Sequence, residues 1–231
     1  MVDLIPSWTW ISLVLLGSFH GLNPAMGWLF AVAIGLQERR ARAVTGALGP
    51  IAIGHAMSIA FVAGGVWVLG AVMPHEVLMV TGGAAMLGFA AHKVVTRFRH
   101  PTWVGMRVHG RDLVAWSFLM ATAHGAGLML VPPLLALWAG QPPAAVAMAG
   151  PHAHHASVIS GGDGLVVSIM AVGLHTLAMF VVTGAIAAIV YRKVGVDILR
   201  RAWVNLDLIW IGILALAGVA TMGMGAWQLT A

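Results

Sequence analysis

Long apolar runs alternate with short polar ones along the whole chain. Six of them reach the length of about 20 residues that a helix needs to cross a bilayer. They run roughly from Trp8 to Leu36, Ala43 to Val72, Glu76 to Val95, Asp112 to Ala139, Leu165 to Tyr191 and Leu206 to Trp227. The first is longer than a straight span requires, so it must tilt, kink or partly unwind. Gly17, Gly21 and Pro24 mark where. Trp8 and Trp10 stand where interfacial anchors belong. The second run contains Pro50, Met73-Pro74-His75 reads as a tight turn, and Gly82-Gly83 and Gly88 suit the third run to close helix packing.

Composition agrees with this pattern. Of 231 residues, 60% are hydrophobic and 8% charged, with a mean hydropathy of +0.94. A soluble domain carries about a quarter charged residues and could not hide so much apolar surface. The pattern therefore predicts an all-α integral membrane protein. The absence of Cys excludes disulfides, thiol redox chemistry, thiolate metal sites and cysteine nucleophiles. Asp3 precedes the first run and no Lys or Arg does, which predicts no cleavable signal peptide.

Charge then sets the orientation. All twelve Lys and Arg lie in or beside the loops after the first, third and fifth runs. The positive-inside rule puts those loops in the cytoplasm and both termini outside, in the plasma (inner) membrane. The net charge of +5 is thus topological and no sign of nucleic acid.

The runs divide as three plus three, over 8–95 and 112–227, within one membrane domain, 1–231. The fourth run starts on the opposite side from the first, so a repeat would be inverted. Polar interruptions support one. The first run is broken by Ser18-Phe19-His20-Gly21-Leu22-Asn23-Pro24, and the fourth by Ala123-His124-Gly125-Ala126-Gly127 with Pro132-Pro133 following. In each half the next run carries one His in its middle, Gly54-His55-Ala56 and Leu174-His175-Thr176. Broken first and fourth helices in an inverted 3+3 repeat are the expected architecture.

His20, His55, His124 and His175 each fall within about three residues of a run's midpoint, roughly 5 Å of helix. Four imidazoles at one depth can converge on one metal ion, and imidazole suits Ni, Co, Cu and Zn. Broken helices would add free carbonyls and helix ends. One His in a membrane helix is more often an interhelical hydrogen bond; four at one depth, two beside helix breakers, favour the site. Asn23, Thr122 and Thr176 are secondary candidates, as ligands, as groups that orient a ring, or as partners of freed backbone groups. Met26 and Met129 offer soft thioethers, though packing is the commoner use of Met. No carboxylate lies in mid-run, which argues against a paired-carboxylate hydrolase and a carboxylate-driven proton pump. Protons, if coupled, would ride on His. His152, His154 and His155 in the fourth loop read equally as an outer metal-gathering patch and as a plain polar loop.

The run His20-Gly21-Leu22-Asn23-Pro24-Ala25-Met26 and the element Gly54-His55-Ala56 resemble the nickel/cobalt efflux and urease-accessory type of six-span membrane transporters, in a superfamily that includes the lysine exporters. Their first-span motif reads approximately His-Ala-Leu-x-Pro-Asp-His. Ala25 and Met26 replace its Asp and second His. The resemblance implies a metal-cation exporter or exchanger, with His20 and His55 as carried-over site residues. The departure loses two hard or borderline ligands and gains a soft one, which weighs against nickel and cobalt specifically.

The expected function is therefore transport of a transition-metal cation (Ni, Co, Cu or Zn, none covalently bound) through a midplane histidine site. The chain would not be an enzyme. Its partners would be the lipid bilayer, the metal ion, and copies of itself or a membrane complex. An accessory membrane subunit or metal-delivery factor of a larger metalloenzyme is the second reading. Haem binding by the pairs His20/His55 and His124/His175 is the third. A membrane di-iron oxygenase would need more clustered His than the run at His152 supplies.

Overall fold

The computed structural model describes residues 7–96, 110–139, 162–194 and 206–230. It is all-helical, with no strand among these residues. The first apolar run forms α1 (Ser7–Leu22), a 3-10 turn (Pro24–Met26) and α2 (Trp28–Glu38). The second and third are α3 (Ala41–Gly70) and α4 (His75–Val95). The fourth is split into α5 (Gly110–His124), α6 (Ala126–Met129) and α7 (Val131–Ala139). The fifth is α8 (Gly162–Ile189), ending in a π turn (Val190–Val194), and the last is α9 (Leu206–Thr230).

In hydrocarbon every backbone N–H and C=O must find a partner within the protein, so uninterrupted helix is the default and each break needs a cause. Four segments are unbroken and apolar enough to cross a membrane: Ala41–Gly70, His75–Val95, Gly164–Lys193 and Leu208–Thr230. The α5 helix and its continuation to Ala139 bend by 55° and can serve as a fifth. The bend pivots on Gly125, at φ +70°. The first run is two shorter apolar helices, broken where Pro24 cannot continue α1 and where Gly27 takes φ +125°. Both interruptions thus fall where the sequence predicts them. Pro50 sits within α3 without ending it.

Three helix pairs carry the tightest packing: α1 with α8, α3 with α5, and α4 with α9. Glycine lets their backbones approach. A Cβ on Gly17 would lie 2.3 Å from the His175 carbonyl oxygen, and one on Gly21 2.6 Å from that of Met179, both on α8. Gly54 on α3 stands in the same relation to the Val114 carbonyl of α5, at 2.2 Å. Gly83 on α4 meets the backbone of Gly218 and Met222 on α9. The predicted role of Gly83 in close packing holds, whereas Gly17 and Gly21 do not break α1 but dock it. Van der Waals contact between small residues is what holds helices together where lipid is as apolar as the protein.

Ser117 ties α5 to the Ile51 carbonyl of α3 at 2.7 Å, and the Ser58 and Thr122 hydroxyls pair across the same interface at 2.8 Å. The Trp138 indole of α7 donates to Ser168 of α8. The main buried cluster gathers Leu13, Ile59, Met86, Met129, Leu134, Trp138, Trp210 and Leu214 from six helices.

Gly17→Leu should push α1 off α8 and destabilise the protein by about 1–3 kcal/mol or more. Gly46→Ala, where a Cβ meets nothing within 4 Å, should be neutral or stabilising by up to about 1 kcal/mol. Thermal unfolding in detergent compares the two, and equal midpoints would contradict this packing.

Candidate metal centre

His20, His55 and His175 meet inside the helix bundle. Each offers a ring nitrogen, and these three atoms lie within 4.8 Å of one another. They come from three different elements. His20 stands in the last turn of α1 just before the break, His55 midway along the 30-residue α3, and His175 midway along the 28-residue α8. The ring centroids are 4.8 Å apart for His20 and His175, 5.1 Å for His20 and His55, and 5.7 Å for the stacked pair His55 and His175. All three side chains are buried.

Each histidine is placed by an adjoining glycine contact. Gly17 rests on the carbonyl of His175 itself, Gly21 follows His20 in the chain, and Gly54 precedes His55. Gly17 and Gly21 bring α1 onto α8, and so His20 onto His175, whereas Gly54 docks α3 on α5, which carries none of the three.

Local hydrogen bonding sets the tautomer of His20. Its Nδ1 lies 2.9 Å from the Leu16 carbonyl oxygen. A carbonyl only accepts, so Nδ1 carries the proton and Nε2 presents a lone pair. That Nε2 has no hydrogen-bond partner, nor does either nitrogen of His55 or His175. The Leu13 carbonyl is near the His175 ring without closing a bond of normal geometry. Three ring nitrogens thus converge, and five of the six in these rings have no hydrogen-bond partner in the protein. An unsatisfied buried polar group costs about 1–3 kcal/mol. An all-nitrogen donor set with one ring anchored by a backbone carbonyl is the arrangement that metal-binding His adopts.

The donors fit a first-row transition ion. Metal–nitrogen distances of about 2.0–2.1 Å place ligand atoms roughly 3.3–3.5 Å apart, so the three rings need close in only modestly. The freed carbonyls at the α1 break do not join them. Thr183 donates to Gly21, the Trp28 indole to Leu22, and the Asn23 amide to the His20 carbonyl.

The fourth predicted histidine is not brought into the cluster. His124 occupies the same local position as His20, in the last turn before a break, with Nδ1 2.8 Å from the Met120 carbonyl. Its ring nitrogens lie outside the group of three. The connection is Trp210 of α9. Its indole N–H donates to the His124 carbonyl, and its ring packs edge-on against His20 with centroids 4.3 Å apart. The sequence hid Trp210. Near the start of a span a Trp reads as an interfacial anchor, whereas this one is buried and also stacks on Phe19 at 5.5 Å.

The secondary candidates separate. The Asn23 side chain accepts from the Ala25 amide and so caps the 3-10 turn. Thr122 bonds Ser58 and the Phe118 carbonyl. The Thr176 hydroxyl is buried without a partner. Met129 belongs to the apolar core, and Met26 is buried at the break. His152, His154 and His155 lie outside the described residues.

Compared with known proteins, the chain matches no family model, and no curated protein or solved structure is significantly similar to it. The reading of the site rests on its chemistry.

His55→Leu should stabilise the metal-free protein by about 1–3 kcal/mol, and so raise its unfolding midpoint, because two unpartnered nitrogens give way to an apolar side chain of similar size. Trp210→Phe keeps an aromatic ring but leaves the buried His124 carbonyl without its donor, and should cost about 1–3 kcal/mol or more. Calorimetry in detergent would read both, and a destabilised His55→Leu protein would mean that these nitrogens are satisfied in solution.

Proposed function

We propose that this chain is a membrane transporter, an exporter, of a transition-metal cation, which passes through the His20, His55 and His175 site. The observation that carries the reading is the convergence of three buried histidines from three helices inside a membrane bundle, with five of their six ring nitrogens unpartnered. Ionisable side chains within a membrane are costly, and they mark ion pathways more often than they serve packing.

In this reading the chain crosses the membrane six times, with α1 and α2 forming one broken span. The two halves are inverted repeats. Helix packing supports this. Exchanging the first span for the fourth, the second for the fifth and the third for the sixth turns the α1–α8 pair into the α3–α5 pair and leaves α4–α9 unchanged. The matching bonds of His20 to Leu16 and His124 to Met120 point the same way. The basic loops face the cytoplasm of an inner membrane, as their charge requires. The resemblance to nickel/cobalt efflux transporters agrees with a cation exporter of this plan.

Haem is disfavoured by the same geometry. Bis-histidine ligation needs two rings on opposite faces of a macrocycle. Here His20 is in direct ring contact with both His55 and His175.

Metal flux in everted membrane vesicles tests the proposal. His20→Ala, His55→Ala and His175→Ala should each abolish accumulation while leaving expression intact, and His124→Ala should only slow it. Replacing His152, His154 and His155 together should weaken transport at low metal alone. Wild-type flux through the His20→Ala and His175→Ala proteins would remove the site from the mechanism.

A further inference from the structure

We infer that the cation this site selects is monovalent and soft, copper(I), and that charge makes it bind divalent ions more weakly. The inference rests on the metal-site reading above and adds the identity of the ion.

The first ground is the charge of the ligand set. Three imidazoles are neutral ligands. The chain has no Cys to supply a thiolate. Its seven acidic residues lie far from the cluster along the chain. Asp3 and Asp197 are outside the described residues. Glu38 ends α2, and Glu76, Asp112, Asp163 and Asp207 stand in the first turns of α4, α5, α8 and α9. Asp163 is separated from His175 by about 18 Å of helix, and α1 and α3 contain no acidic residue at all. Among the described residues no carboxylate joins the three ring nitrogens, so an ion bound by them keeps its charge within a low-dielectric interior. The cost of desolvating an ion grows as the square of its charge, so a dication is penalised about four times as heavily as a monocation. Divalent sites commonly offset this with a thiolate, a carboxylate or, on three histidines, a hydroxide from an ionised bound water.

The second ground is softness. Hard monovalent ions want oxygen. The carbonyls freed at the break, of Gly21, Leu22 and His20, already accept bonds from Thr183, Trp28 and the Asn23 amide. The Met179 sulfur, one turn beyond His175 on α8, likewise accepts a bond from Thr183. What remains is nitrogen. Imidazole is a donor for copper(I), a closed-shell ion that makes no ligand-field demand and accepts three ligands.

The test is equilibrium binding to the full-length protein in detergent. Copper(I) under anaerobic reductant, buffered by a chromophoric chelator, is compared with Zn(II), Ni(II) and Co(II). The expected result is one copper(I) per chain, bound at least about tenfold more tightly than any of the divalent ions, with X-ray absorption showing nitrogen ligation. His55→Asp adds one negative ligand and should move the preference towards Zn(II). This comparison of metals on the wild-type protein does not depend on how the variants fold. Divalent binding as tight as that of copper(I) would overturn the charge argument and leave the metal site standing. No binding of any of these metals by the folded wild-type protein would overturn both.

Discussion

The approach of helix backbones at glycine is the constraint on which the rest of this structure depends. Where α1 crosses α8, a Cβ on Gly17 would reach the carbonyl oxygen of His175. Where α3 crosses α5, one on Gly54 would reach that of Val114. In a bilayer there is no hydrophobic gain from joining two apolar helices, so packing and hydrogen bonds must hold them. Small residues make that packing close. The α1–α8 approach sets His20 against His175, and His55 on α3 completes the group in ring contact with both.

The distribution of satisfied and unsatisfied polar groups separates the site from an accident of packing. Breaking a helix in hydrocarbon frees carbonyls, and an unmatched carbonyl is costly there. At the α1 break side chains from α2 and α8 answer them, Trp28 and Thr183, and at the α5 break Trp210 answers the His124 carbonyl. The fold therefore commits side chains to satisfying its breaks. Among the described residues nine buried polar side-chain atoms remain without partners, and five of them are in the three clustered imidazoles. Elsewhere the unpartnered atoms are single ones, on Thr9, Trp67, His75 and Thr176. The three rings form one compact group, and three buried histidines so placed could bind a metal.

Much of this architecture is legible in the amino-acid sequence. Apolar run length places the helices, because the bilayer fixes their length. Pro24 and the His-Gly pairs locate both interruptions, because proline removes a donor and glycine permits the positive φ at Gly125. Histidine in mid-span marks four candidates, and three of them cluster. The sequence does not reveal that Gly17 and Gly21 dock helices, since a glycine in a long span reads equally well as a hinge. Nor does it reveal Trp210, whose position imitates an interfacial anchor. His124 is indistinguishable from His20 in its local surroundings, so no local pattern sets it apart. Which of two equivalent residues reaches a site is decided by the positions of whole helices.

The difference between His20 and His124 bears on what the site can do. A four-histidine site would be closed, as structural metal centres are, and would hold its ion. Three neutral ligands hold an ion less firmly than four, so it is exchanged more readily. Trp210 links the two histidines that differ, its ring against His20 and its N–H on the His124 carbonyl. For the proposed transport, binding must be favourable enough to admit the ion and weak enough to release it. An incomplete set of neutral ligands, one ring anchored by a backbone carbonyl and two without partners, meets both requirements in a way that a saturated site would not.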